Sequence, residues 1–371
     1  MKLSCTKENL YKGLLITGAL AGRNVSLPIL NNVLLKTTNG GLTISATNLE
    51  MGIVTTTRSK VEIAGAITIQ GKLFLELVSL LPNERVDLEL NNLDLKVNCG
   101  GHQSVIHGLA AEDFPVIPEV AVKGSLAVGA ADLSEALNQV LFAVNPNESR
   151  PEISGVLLTS GGDGKLAVVA TDSYRLAEKI LTSTKGYLGT GQLIVPQRTV
   201  QQLIRVINAT EDLAEVEIKM GDNQVLWQVG ETKVISRIIT AQFPDYQQII
   251  PKKTNTELVI DRAAYLQAVK SASLFSRGGI NDVRLAVWAG KKQLQISSAN
   301  SQVGEDTSAI DCHSVKGGDN EIVFNYRYLL DGLNAIPDKE VLVQIVDNNN
   351  PGLMKPVGQN DYQYIIMPIR Q

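Results

Sequence analysis

Cysteine and histidine each occur only three times in 371 residues, aromatic side chains make up 5%, and no uninterrupted apolar run approaches 18 residues. The cysteines, Cys5, Cys99 and Cys312, are odd in number and far apart, which excludes a disulfide scaffold and fits a reducing compartment. His102 and His107 stand five apart and His313 lies beside Cys312, spacings too loose for a zinc site, so no metal or cofactor is expected. Without a long apolar run no helix is expected to cross a membrane, and residues 1–8 carry no signal-peptide core. A cytoplasmic protein is expected. A basic excess is also missing: 34 Lys and Arg face 38 Asp and Glu, where tight phosphate binding would require a surplus.

What is present is apolar and aliphatic. Hydrophobic residues are 44% and charged ones 19%, enough for packed cores built from Leu, Ile, Val and Ala. At about 100–200 residues per domain, the length allows two to four domains.

An internal repeat narrows that range. ISATNLEMGI at 44–53 is echoed by VVATDSYRLA at 168–177 and more weakly by ISSANSQVG at 296–304. The period is domain-sized, not the 20–50 residues of a solenoid. Upstream of each copy lie two alternating apolar runs: 29–36 with 42–46, 153–159 with 166–170, and 283–288 with 294–298. The turns between them, at 39–41, 161–164 and 289–292, mark β-hairpins.

Each repeat also carries two helical patterns. The first helix begins near Thr6, Gly129 and Asp261; Thr6 and Asp261 are apt N-caps and Gly129 a poorer one. Leu133, Ala136, Leu137, Val140 and Leu141 make one apolar stripe. The second helix covers 71–81, 196–208 and 325–336, with Pro196 suited to a helix entrance. Further strands follow at 86–90, 216–219 and 341–345. Proline-rich phrases at 113–118 and 242–251 close the first two repeats. The expected fold is α+β: units 1–122, 123–253 and 254–371, each with two helices packed on about eight short antiparallel strands.

Three such units leave unpaired sheet edges unless neighbours pair edge to edge and the array closes. Two chains would supply six units, with helices lining a hole and sheets forming the rim. The six helical segments sum to about +2 against −4 for the chain, a modest asymmetry between helices and the rest.

At this point the residues resemble a known family over residues 1–371, the DNA polymerase III beta subunits, or beta sliding clamps. The matching strings are LPILNNVLL at 27–35, ATNLEM at 46–51, Arg150-Pro151 with Ile153 and Gly155, ATDSYRLA at 170–177, FPDY at 243–246, Phe324-Asn325 with Tyr328-Leu329-Leu330, and MPIR at 367–370. The resemblance implies three repeated DNA-clamp domains, closed into a ring as a head-to-tail homodimer around double-stranded DNA. It implies no enzymatic activity. The implied partners are the polymerase III catalytic subunit, the clamp-loader complex and other proteins carrying a clamp-binding motif.

Residue by residue, the resemblance assigns DNA contacts to Arg23, Lys72, Arg150, Arg198 and Arg205. Pro151 and Glu152 stand where some relatives have paired tyrosines, which argues against aromatic base contact there. A peptide-binding pocket is implied at Ile153, Thr171, Ser173, Tyr174, Arg175, Leu176, Pro244, Ile249, Tyr328, Met367, Pro368, Ile369 and Arg370. Tyr174 replaces a frequent His, Ile369 a frequent Met, and Gln371 an apolar residue, so an altered peptide preference is expected. The dimer interface is implied at Ser104, Ile106, Leu274 and Phe275, with Ser104 in place of an aromatic.

Two other classes compete with this reading. The glycine-rich turn at 161–164 matches neither G-x-G-x-x-G nor a P-loop, and no triad-like spacing is present, so an enzyme is not expected. A repeat-built scaffold that binds peptides without encircling DNA would share the pocket and the repeats.

Overall fold

The computed structural model describes residues 1–18, 20–22, 27–161, 163–182, 184–189 and 192–370; Arg23, Gly162 and Gln371 thus lie outside the described residues. Six α-helices occur among the described residues: α1 (Lys7–Gly18), α2 (Gly71–Leu80), α3 (Ala130–Leu141), α4 (Gln197–Ala209), α5 (Arg262–Ser273) and α6 (Tyr326–Ala335). Thr6 Oγ1 accepts the Asn9 N–H at 3.3 Å, and Asp261 accepts that of Ala264 at 2.8 Å, so the expected caps form. Asn325 caps α6 through the Arg327 N–H. Leu133, Ala136, Leu137 and Val140 of α3 are fully buried, the outcome of the apolar stripe.

Strands differ more from expectation. The described residues hold 27 of them, nine in each third of the chain and not eight. Ile29 and Ile153, read as strand starts, lie in 3₁₀ turns Pro28–Asn31 and Pro151–Ile153. A leading proline has a fixed φ and no N–H to give a ladder. Pro196 ends the strand Leu193–Pro196, at the edge of its sheet, and α4 starts one residue later.

The described residues form two compact units that do not follow the three repeats. One comprises Met1–Ser134, Ser183–Gly191 and Arg198–Ile238, and holds a five-stranded and a nine-stranded sheet. The five run Lys60–Ile63, Lys2–Thr6, Arg85–Asn91, Asp94–Cys99, His102–His107. In the nine, Thr232–Arg237 closes a five-strand set of the second repeat. It pairs antiparallel with Met51–Thr57, which opens a four-strand set of the first.

The other unit comprises Glu135–Thr182, Gln192–Gln197 and Ile239–Gln371. Its nine-stranded sheet joins four strands of the second repeat, ending at Arg175–Leu181, to five of the third, beginning at Tyr362–Ile366. Its four-stranded sheet runs Gly304–Asp311, Gln293–Asn300, Asp282–Trp288, Asn320–Asn325. Neighbouring repeats thus do share sheets edge to edge.

Candidate peptide pocket and its surroundings

The repeated phrase folds twice into one hydrogen-bonded loop. Thr47 Oγ1 donates to the Met51 carbonyl at 2.9 Å and accepts the Leu49 N–H, while Asn48 Oδ1 accepts the N–H groups of Glu50 and Met51. Thr171 donates to the Arg175 carbonyl at 2.7 Å and accepts the Ser173 N–H, and Asp172 takes the place of Asn48. Leu49 and Ser173 both sit at positive φ, 75° and 80°. The side-chain oxygens fold the backbone into a tight reversal that presents the following residue at the sheet end.

At the second loop a cavity of about 160 Å³ opens. Its floor is Leu176 and Ile365 from the paired strands; its sides are Thr171, Ser173 and Arg175, the segment Pro244, Asp245, Tyr246 and Ile249, and Met367. Seven of the thirteen expected pocket residues line it. Ile153 is buried behind the floor, in a cluster with Leu157, Phe243 and Ile365. Tyr174 is 63% exposed on the rim. Tyr328 lies beneath the Arg175 guanidinium, 4.5 Å from its centre. Pro368 and Ile369 run on from Met367, with the Ile369 N–H donated to the Val323 carbonyl at 2.8 Å, and Arg370 is exposed. Asp245, Tyr246 and Ile365 are the lining residues that the sequence reading missed.

Arg175 ties the pocket to its support. It donates to Asp172 at 3.0 Å, to Asp331 of α6 and to the Phe142 carbonyl at 2.7 Å. Burial works against its charge, but Tyr364, Asp331 and Asp172 outweigh it and hold the guanidinium above its ordinary pKa. Burial and the Glu178 carboxylate, which accepts its O–H at 2.6 Å, push the Tyr246 phenol up.

The expected DNA-contacting residues fall into two groups. Lys72, Arg198 and Arg205 are exposed on α2 and α4, with Lys72 3.8 Å from Glu76. Lys270 of α5 and Arg327 of α6 are exposed too, and sequence reasoning missed them. The six helices carry eight basic and five acidic residues, net +3 against −4 for the chain. Arg150 is instead engaged at the pocket loop, donating to Ser173 Oγ at 2.8 Å and to Glu152 at 3.1 Å.

The expected interface residues lie at two sheet edges. Ser104 and Ile106 point to one face of the terminal strand His102–His107, with Val105 exposed on the other. Leu274 is 73% exposed, and the Phe275 ring reaches Gly304, first residue of the terminal strand Gly304–Asp311. Exposed Leu73 and Leu80 of α2 were not foreseen. Pro82 follows two residues after the helix, and its carbonyl accepts from Cys99 Sγ near the turn into His102–His107.

Comparison with known proteins places this geometry. The chain matches the DNA polymerase III beta subunit family in its N-terminal domain over residues 1–118, its central domain over 127–245 and its C-terminal domain over 247–370. It is 31% identical to the beta sliding clamp of Synechococcus elongatus over 377 aligned positions, covering 100% of this chain and 99% of the relative. A beta sliding clamp of Staphylococcus aureus is 29% identical, with 82% and 80% covered. Among solved structures, the DnaN sliding clamp of Pseudomonas aeruginosa bound to griselimycin superposes with a TM-score of 0.94 at 28% identity, covering both chains fully. That of Bartonella birtlesii, also bound to griselimycin, gives 0.92 at 26%, again over both full chains.

Proposed function

The chain belongs to the DNA polymerase III beta subunit family, and from that premise we propose that two copies close head to tail into a ring around double-stranded DNA. It is a DNA sliding clamp, a non-catalytic subunit that gives a polymerase processivity. One observation carries the ring. Each nine-stranded sheet joins a five-strand set to a four-strand set, through Thr232–Arg237 with Met51–Thr57 and through Tyr362–Ile366 with Arg175–Leu181. One five-strand set, ending at His102–His107, and one four-strand set, ending at Gly304–Asp311, remain without a partner sheet among the described residues. Joining them between two chains makes a third nine-stranded sheet of the same five-plus-four composition, so that every repeat shares a sheet with both neighbours. Ser104, Ile106, Leu274 and Phe275 then meet, with Leu73 and Leu80 beside them.

In this reading the units are 1–122, 123–253 and 254–371, and the helices face the duplex. Lys72, Arg198 and Arg205, with Arg23, meet phosphates without base readout. Arg150 reaches the duplex only by giving up Ser173. Holding by enclosure needs no tight phosphate binding, so a net charge of −4 is compatible with sliding. The pocket takes apolar linear segments of the polymerase III catalytic subunit, the clamp loader and other clamp-binding proteins, and also griselimycin. No helix of the described residues is long and apolar enough to cross a membrane, and the cytoplasm is the proposed location.

The test is retention on DNA. Loaded on a nicked circle, the protein should stay bound in salt that strips electrostatic binders, and leave when the circle is cut. Equal loss from circular and linear DNA would contradict enclosure.

A further inference from the structure

Glu178 is buried in the strand Arg175–Leu181, 5% exposed, and its carboxylate has no ion pair among the described residues. It is held by two neutral donors: the Tyr246 phenol reaches Oε1 at 2.6 Å, and the Gln363 side-chain amide reaches Oε2. An apolar side chain would suit a sheet core at least as well, because a buried carboxylate costs desolvation that neutral donors only partly offset. What the carboxylate adds is direction.

That direction bears on the pocket. Glu178 lies opposite Gln363 in the strand pair, so its position is fixed from both strands. Leu176 is two residues before Glu178 and Ile365 two after Gln363, which puts floor and carboxylate on one sheet face. From that face the carboxylate reaches the turn Tyr246–Ile249, whose first and last residues form the opposite wall. Phe243 is anchored separately, through Gln192 at 2.8 Å and an edge contact with the Tyr246 ring. The Tyr246 hydroxyl donates to Glu178 at 2.6 Å, and Gln247 of the same turn is its other side-chain partner, so the bond to Glu178 is the one that ties the ring to the sheet.

We infer that Glu178 is a positioning residue for this pocket: it holds the Tyr246 ring as the wall, and occupant affinity depends on a carboxylate that the occupant never touches. This rests on the pocket being the ligand site. The tie sets the spacing between wall and floor, so an apolar occupant meets a preformed slot and need not order the turn on binding.

The probe is griselimycin, titrated by calorimetry into the full-length protein, with thermal unfolding measured alongside. Tyr246→Phe keeps the ring and removes the donor, and Glu178→Val removes the acceptor; each should weaken binding by about 5- to 10-fold, the order of one lost hydrogen bond. The double variant should be no weaker than either single one, because both break the same tie. Glu178→Gln keeps an acceptor oxygen for Tyr246 and presents its amide to Gln363, whose own amide can turn; it should bind within about twofold of wild type. Tyr246→Phe and Glu178→Val binding as wild type would overturn the inference. So would Glu178→Gln losing as much affinity as Glu178→Val in step with thermal stability, since that marks general loosening. A wild-type protein that binds no griselimycin would overturn the pocket reading itself, and this inference with it.

Discussion

The backbone N–H of Met367 donates to the carbonyl oxygen of Tyr174 at 2.8 Å. This bond extends the pairing of Arg175–Leu181 with Tyr362–Ile366 by one step and joins the pocket loop to the last phrase of the chain. The other unit repeats the contact, Arg237 N–H to Glu50 carbonyl at 2.9 Å. There, however, Ile117 occupies the space over Gly52, its Cγ2 2.8 Å from where a β-carbon would stand. Gly52 pairs with Thr47 as Leu176 pairs with Thr171, so the same junction is filled in one place and open in the other.

Removing the wall at Met367 should empty the site. Met367→Ala combined with truncation after Pro368 is expected to abolish griselimycin binding in calorimetry and leave the assembly seen by light scattering unchanged. Loss of the assembly would contradict the role given to this phrase.

Arg175 should not be replaceable by lysine. Its guanidinium serves Asp172, Asp331 and the Phe142 carbonyl at once while stacking over Tyr328, and an ammonium on a flexible stem cannot. Arg175→Ala should cost about 3 kcal/mol in urea unfolding, the lower end for a broken buried pair because Asp331 is 44% exposed. Arg175→Lys should recover less than half of that; full recovery would contradict the geometry.

Gly332 of α6 lies under the Tyr364 ring. A β-carbon there would stand 2.3 Å from Tyr364 carbons and 2.9 Å from Met354 Cε. Tyr364 cannot yield easily, since its hydroxyl donates to the Tyr328 carbonyl at 3.0 Å and its ring meets Phe142 edge-on. Gly332→Ala should therefore destabilise by about 2–3 kcal/mol in urea unfolding, as overpacking does. A change below about 0.5 kcal/mol would show that the helix shifts freely.

Alkali should weaken the fold. Burial, with the charges of Asp87 and Cys99, pushes the Cys5 thiol up to about 12, and burial pushes Cys312 up to about 11. These thiols are neutral in the folded state, so their contribution is complete below the ordinary thiol value of about 8.5. It declines as pH rises above that and is gone near the folded values. The unfolding midpoint should fall steadily from pH 8.5 to 11, and Cys312→Ala should flatten part of that slope. Folded protein at pH 8 should resist iodoacetamide at all three cysteines; rapid labelling would contradict their burial.

Helices were the most legible elements, because a 3.6-residue stripe and a capping oxygen are local properties; the buried face of α3 shows the first and Thr6 and Asp261 the second. Strands Lys60–Ile63, Lys185–Tyr187 and Ser314–Gly317 escaped notice, being three or four residues long with no buried residue to mark a core face. The pocket was legible where one phrase supplied the lining, as at 171–176. Tyr246 and Ile365 reach it from segments about seventy and two hundred residues away, and FPDY at 243–246 reads equally well as a connection. Glu178 was invisible as a functional residue because its effect depends on Tyr246 and Gln363, which no periodicity links to it.

Closure is the claim on which the rest depends, and negative-stain electron microscopy of the purified protein with class averaging tests it most directly. Closed rings with a central hole and six-fold pseudosymmetry are the predicted result. Isolated arcs of three units at micromolar concentration would contradict it, and would mean that the strands His102–His107 and Gly304–Asp311 do not pair.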